Sequence, residues 1–476
     1  MKNDKPIQMF DFSTGLIDDK SVSKFLIPDS SVNKSINVVF NKPRGSITQR
    51  QGSTLLGSVV SSTNTILGLH NFISSTASYS KLLSVATNVI YSYDGSSWTS
   101  TYTGLNSGLD TNFLTYLDRV CFLNGTNQSQ SWDGNGAWLA TGGPLDISNF
   151  PITKYATVLN TRVLTTGNTS APDTVYESSL EASSAISWTS GNKTFKVNPN
   201  DGAGNITGIT GNGRVALIFK QRGLYRYDDT ELQRIGYVGT PSFKSICTDD
   251  NGITYFFGQG SNGVGFYATD GGSPVKISRA IQKYVSAISP SVYGRISVYA
   301  DGEKIEWAVG SVTIDGITYS NASVVYFPND KMWTIFDRVD SFRVFSQYIN
   351  SSSAITVVGG DTDGAVQTID SGNTDNGTNI STEVEFKPYH FSDISSNKQV
   401  NKLFSSCTQF NGLKVSLKVD QDDFVQLGSV NDFFYDFPSL PRLRGKEFVF
   451  KLTSTNDQEP YQFDGFEFPI NSIIFE

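Results

Sequence analysis

Between residues 93 and 370 an aromatic or apolar residue followed by an acid, often with glycine next, returns at steps of about forty residues. The instances are Tyr93-Asp94-Gly95, Trp132-Asp133-Gly134, Tyr176-Glu177, Tyr227-Asp228, Thr269-Asp270-Gly271, Phe327 with Asp330, and Ile369-Asp370. They are separated by 39, 44, 51, 42, 58 and 42 residues, the size of one four-stranded propeller blade. A chain of 476 residues needs such repetition, or several domains, because a single core stops growing near roughly 250 to 300 residues.

A short apolar run bounded by turn residues precedes each anchor. The runs are Leu82–Ala86, Val120–Leu123, Val163-Leu164, Val215–Phe219, Ile253–Phe257, Ile305–Val309 and Ile355–Val358. They are too short, too β-branched and too aromatic for helices, so they read as strands buried on both faces. In a radial stack the second strand of each sheet is covered by its neighbours on both sides, which explains continuous rather than alternating apolarity. Three runs open alike, at Arg119-Val120, Arg162-Val163 and Arg214-Val215, placing an arginine at the strand mouth. Trp98, Trp138 and Trp333 follow their anchors at the distance of an outer strand, where an aromatic covers the sheet edge.

The expected fold is all-β, a six- or seven-bladed β-propeller over residues 61–377. Forty-three glycines, 12% aromatic residues and only 17% charged residues favour strands and turns in the same way. The longest interval holds Ile277 to Val285, whose apolar positions 277, 281, 284 and 285 share one helical face, so a single short helix is expected near 277–288.

The two ends lack the repeat. Residues 1–60 carry Phe10-Asp11-Phe12 and the basic stretch Arg44 to Gly52, and read as an extended N-terminal arm. That arm either lends a strand to the last blade or reaches a partner, with Phe10, Phe12, Arg44 and Arg50 as its candidate assembly contacts. After the polar cluster Ser371 to Gly377, Leu413 to Asp420 alternates strictly between apolar and polar. Residues 378–476 are therefore expected to form a C-terminal antiparallel β-sandwich-like module.

Chemistry is sparse. His70 and His390 stand far apart without zinc-ligand spacing, and read as structural. Cys121, Cys247 and Cys407 lie more than a hundred residues from one another and read as reduced, mostly buried thiols. Gly258 to Gly263 fits a bare Gly-x-Gly-x-x-Gly, but no helix pattern follows it to cradle a phosphate. The acids Asp361 with Asp363, and Asp420 with Asp422 and Asp423, have ligand types suited to calcium but no full calcium-loop spacing, so they read as turn acids. Paired carboxylates for glycoside hydrolysis leave no trace in sequence. The expectation is no enzyme, no cofactor and no metal.

The net charge of −8 removes the electrostatic basis for gripping nucleic acid, yet like charge lets a protein surround DNA without adhering to it. No run approaches the roughly 20 apolar residues that span a bilayer. A soluble chain made in a cytoplasm, without membrane contact, is expected.

Ser92 to Trp98 and Ser131 to Trp138 are similar to the Asp-box turn of sialidase propellers, with the glycine one place early and the second copy one residue too long. The box is a structural turn in those families and says little about activity. The order of parts, from the Arg-Gln-Gly arm through the mid-chain repeat and the insertion at Ser278 to Ile288 to the terminal Pro441-Arg442-Leu443-Arg444-Gly445-Lys446, resembles the head-closure proteins of short-tailed bacteriophages. These are also called packaged-DNA-stabilisation, tail-accessory or nozzle proteins, and no diagnostic motif carries the resemblance. It implies a structural virion component at the head-to-tail connector, a six-fold ring of copies of the chain around the DNA exit channel. The implied partners are a portal adaptor and tail spike, fibre or needle proteins, with DNA passing through unbound. The alternative is a carbohydrate-binding or glycan-degrading propeller, which would be marked by an exposed aromatic platform or an arginine cluster with neighbouring carboxylates on one face.

Overall fold

The computed structural model describes residues 5–18, 27–41, 45–75, 79–350, 352–391, 395–410, 412–437, 444–455, 460–469 and 472–475. The fold is all-β, as expected, with strands throughout and little helix. From residue 66 to 369 the chain lays down antiparallel meanders in succession, each paired in sequence order. The first sheet holds Ile66–Ser74, Tyr79–Ala86, Val89–Tyr93 and Trp98–Thr103. The second holds Asn112–Tyr116, Arg119–Leu123 and Ser131–Trp132; the third, Tyr155–Leu159, Arg162–Thr166, Thr174–Glu177 and Lys193–Lys196. The fourth holds Ile206–Asn212, Val215–Lys220, Leu224–Tyr227 and Leu232–Gly236; the fifth, Ile246–Thr248, Thr254–Gly260, Gly265–Thr269 and Val275–Lys276. The sixth holds Ser297–Ala300, Ile305–Ile314, Ile317–Phe327 and Met332–Asp337. Phe342–Ile349, Ile355–Asp361 and Val366–Ile369 make the seventh, and its fourth strand comes from far upstream: Ser53–Leu55 pairs antiparallel with Val366–Ile369 and, on its other side, with Thr374–Asp375 in parallel.

Every apolar run of the sequence lies in the second strand of its sheet, and every aromatic-acid anchor at the end of the third. Alternate residues of a second strand go to different clusters. Ala216 and Ile218 pack with Leu159, Leu164 and Val175 of the third sheet, while Leu217 and Phe219 pack with Val238 and Phe256 on the other side. Leu82 and Ala86 likewise meet Val344 and Val358 of the seventh sheet, and Leu83 and Val85 meet Val120 and Phe122 of the second. A strand with neighbours on both faces has no solvent side, so its sequence has no polar alternation. Phe342–Ile349 packs against Ile66–Ser74, which brings the last sheet back to the first.

The acid of the anchor closes a turn. Asp94 Oδ1 accepts from the backbone N–H of Ser96 and Ser97 at 2.9 and 2.8 Å, and Asp228 Oδ1 from those of Thr230 and Glu231 at 3.1 and 2.8 Å. These backbone bonds hold the Asp94 carboxyl down to about 2. The expected helix is a 3-10 turn, Ser278–Ile281, running into the helix Gln282–Ala287. It buries Ile281, Tyr284 and Val285 against the sixth sheet.

Ser53–Leu55 lends a strand to the seventh sheet, one of the two roles expected of residues 1–60, and other described strands of that segment pair with strands from beyond residue 377. Ser31–Ile36 continues the sixth sheet between Met332–Asp337 and Thr382–Phe386, followed by Phe448–Ser454, Lys414–Val419 and Val425–Ser429. Val38–Asn41 and Ser46–Gln49 join Gln462–Phe468, Phe404–Gln409 and Phe434–Asp436 in a second sheet, with Ile7–Met9 also on Gln462–Phe468. Between these sheets Phe12, Val38, Phe40 and Ile47 share one core with Phe386, Phe450, Phe463 and Phe466. Apolar alternation in the first fifty residues has its other half four hundred residues away, which a local reading treats as unpaired.

Candidate functional site

The expected contact residues divide according to what covers them. Phe12 is fully buried, its ring 5.0 Å from that of Phe386 and 5.9 Å from that of Phe463. Arg50 is buried too. Its Nη1 and Nη2 donate to Asp375 Oδ1 and Oδ2 at 2.8 and 2.6 Å, Nε to Asn37 Oδ1 at 2.8 Å, and Nη2 to the Asp337 carbonyl at 3.1 Å. Both therefore hold the chain together and are unavailable to a partner, because each is consumed by groups that lie far downstream in sequence. Arg44 lies outside the described residues. Gly52 ends the Arg-Gln-Gly segment where a Cβ would stand 1.9 Å from the Thr374 carbonyl oxygen, so only glycine lets the two backbones approach.

Phe10 is the one of the three described that lies at the surface, 36% exposed, and it has company. It lines an apolar cleft of about 300 Å³ with Phe404, Ser405, Ser406, Phe434 and Glu467. Phe434 opens the strand Phe434–Asp436, which pairs with Phe404–Gln409 on one side and, among the described residues, with no strand on the other. Phe434 is 77% and Phe433 56% exposed, and Phe433 meets the Phe410 ring edge-on at 5.6 Å. Exposed Asp432 and Asp436 flank them. Two adjacent phenylalanines on a free strand edge are the sort of apolar surface that marks an interaction site. The signal was present as Asp432-Phe433-Phe434-Tyr435-Asp436, but aromatics in an all-β chain read first as core.

A second feature is polar. Asp110, Lys154, Lys244 and Arg295 each lie one or two residues before the first strand of the second, third, fifth and sixth sheets, and Arg343 lies within that of the seventh. Asp110 Oδ1 accepts from Lys244 Nζ at 2.8 Å and from Arg343 Nη2 at 3.3 Å. Burial opposes ionisation of Asp110, but Lys244 and Arg343 outweigh it and keep the carboxyl below its ordinary value. Burial pulls the Lys244 ammonium down to about 8, against the attraction of Asp110 and with repulsion from Arg343 and Lys154. Arg343 and Arg295 line a cleft of about 400 Å³ with Thr63, Thr87, Ser107 and Thr362, and Lys154, Lys244 and Asp110 line a smaller one of about 70 Å³. Two cations thus share the Asp110 carboxylate, and two more, Lys154 and Arg295, line the same two clefts without an ion pair among the described residues. The second and third strands draw the eye in the sequence; this cluster belongs to the starts of the first strands.

The remaining sequence candidates are structural. His70 Nε2 and Thr115 Oγ1 are 2.6 Å apart and the imidazole stacks on Phe113. His390 Nδ1 lies 3.3 Å from the Lys446 carbonyl. Gly258 and Gly260 lie in the last residues of one strand of a hairpin and Gly265 begins the next, so Gly263 between them serves the turn from strand to strand. Asp361 Oδ1 accepts from the backbone N–H of Asp363 and Ala365, and Asp420 Oδ1 from those of Lys446 and Glu447. Among the described residues no group of three His, Cys, Asp or Glu side chains is placed to hold a metal, and no helix is long and apolar enough to cross a membrane.

No family model matches the chain, and no curated protein matches it. Among solved structures it is similar to the extracellular domain of a hybrid two component system from B. thetaiotaomicron, at 11% identity and TM-score 0.45, over 76% of this chain and 44% of that one. Saccharomyces cerevisiae Sqt1 matches at 7% identity and TM-score 0.37, over 67% of this chain and 98% of that one. The chain thus spans less than half the length of the first of these, and likenesses this weak carry no functional weight.

Proposed function

We propose that the seven sheets are the blades of a β-propeller closed by Ser53–Leu55, and that the chain is a non-enzymatic structural subunit of a short-tailed phage. In this reading several copies, six by the resemblance, form a ring at the head-to-tail connector or tail nozzle. The ring surrounds the DNA exit channel and docks an adaptor and tail spike, fibre or needle proteins. Support for the propeller is the sharing of each second strand between two neighbouring sheets, together with the return of the seventh sheet to the first. The two chain ends then make one composite module beside it, residues 5–50 with 378–475.

The observation that carries the assembly role is the exposed pair Phe433 and Phe434 on an open strand edge of that module. A closed ring needs a surface on each copy that is complementary to a different surface on the next, and an apolar strand edge is suited to one half of such a contact. The acidic balance suits a channel through which DNA slides. Size-exclusion chromatography with light scattering, on the chain alone and with the adaptor of its own virus, tests the role. Multimers or adaptor complexes are expected, and a chain that stays monomeric and ignores both adaptor and tail contradicts it.

The carbohydrate alternative keeps one observation in its favour, the cationic cluster around Asp110 on one side of the sheets. A glycan array with hydrolysis assays separates the two, since a connector subunit needs neither binding nor turnover of a polysaccharide.

A further inference from the structure

We propose that the cleft between the starts of the first strands is a binding site for a small oxyanion, a phosphate or the carboxylate of an acidic sugar. Arg295 and Arg343 line the larger cleft and Lys154 and Lys244 a smaller one, the four coming from four different sheets, and Arg343 ties the two clefts together through Asp110, which it shares with Lys244. Among the described residues neither Lys154 nor Arg295 has a carboxylate within ion-pair distance. Arg343 Nη2 bonds to Asp110, whereas its buried Nε has no hydrogen-bond partner among the described residues. Like charges gathered on separate strands repel one another, and an unfilled guanidinium is costly inside a cleft. A bound oxyanion removes both penalties.

The lining fits that class of ligand. Arg295 and Arg343 stand beside the hydroxyls of Thr63, Thr87, Ser107 and Thr362, all able to donate to oxyanion oxygens. A guanidinium presents a planar pair of donors to phosphate or carboxylate, and a charge-assisted hydrogen bond is roughly twice as strong as a neutral one. About 400 Å³ holds an inorganic anion with its waters, or one acidic monosaccharide. A cation is repelled, and a neutral sugar leaves the excess charge uncompensated. The site is independent of the ring: it depends on the seven sheets and not on Phe433 or Phe434.

Isothermal titration of the full-length chain, in a low-salt buffer at pH 7 free of phosphate and carboxylate, tests the proposal with sodium phosphate, glucuronate and neutral glucose. One-site binding of phosphate or glucuronate is expected, with none of glucose, and the tighter of the two anions identifies the source. The double variant Lys154→Gln/Arg295→Gln breaks no ion pair, so its melting temperature is expected to match the parent while anion affinity falls at least tenfold. Absence of binding by either anion overturns the proposal, and so does binding that the double variant leaves unchanged.

Discussion

Arg50 and Asp375 meet in a two-pronged ion pair with both side chains almost entirely withdrawn from water, 325 residues apart in sequence. The pair fastens the end of the N-terminal strands to Thr374–Asp375, the strand that lies beside Ser53–Leu55 in the seventh sheet. The guanidinium also lies over the Phe336 ring at 5.5 Å and ties down Asn37. A sheet that takes its last strand from the other end of the chain needs that strand's anchor fixed in place, and this pair fixes it.

Removing one partner leaves a buried charge without compensation. Arg50→Met or Asp375→Asn is expected to cost about 3–5 kcal/mol in urea unfolding, from the cost of breaking a buried ion pair. The double variant Arg50→Met/Asp375→Leu is expected to be more stable than Arg50→Met alone. A single-variant loss below about 1 kcal/mol would equal that of a surface pair and contradict the anchor.

The shared second strands carry a sharper expectation. Leu217 and Ile218 are neighbours pointing to opposite faces, and both are fully buried. Leu217→Ala and Ile218→Ala are each expected to cost about 2–5 kcal/mol, because both leave a cavity. If one of them is tolerated as a surface change, one face of the strand is open to water.

His70 sets a pH dependence. Burial lowers its imidazole from 6.5 to about 4, so the folded chain keeps it neutral where the unfolded chain takes up a proton. Stability is therefore expected to fall as pH drops from about 6.5 to about 4, and to be insensitive to this group above that range. His70→Gln, which retains a donor toward Thr115, should flatten that part of the pH profile of thermal melting.

Phe433→Ser/Phe434→Ser separates folding from assembly. Both side chains are largely in water, so unfolding free energy is expected to change by less than about 0.5 kcal/mol. Association with further copies or with an adaptor is expected to be lost. Unaltered association would move the interface elsewhere.

Much of the middle of the chain was legible because its repeat is local. Each apolar run and each aromatic-acid anchor owes its form to contacts inside one sheet or with the next, and the turn made by Asp94 or Asp228 involves residues two and three places on. The ends were not legible for the opposite reason: Ile47 pairs with Phe463, and Val32 with Phe386, so neither strand's burial can be read from its own neighbours. That is why Phe12 and Arg50 looked like contacts for another molecule. Asp110, Lys244 and Arg343 escaped notice because charges are common at strand ends, and only the circuit of sheets brings these three together.

The completion of the seventh sheet by Ser53–Leu55, a strand from the N-terminal segment, is what the proposed propeller rests on. Thr54 and Thr368 are cross-strand partners in that junction, and both reach solvent. Thr54→Cys/Thr368→Cys, oxidised as the folded chain and examined by non-reducing electrophoresis and peptide mass spectrometry, measures the closure directly. A disulfide linking the two positions in nearly all molecules is expected. Free thiols at both introduced positions in a folded chain, or linkage only between different molecules, would contradict it.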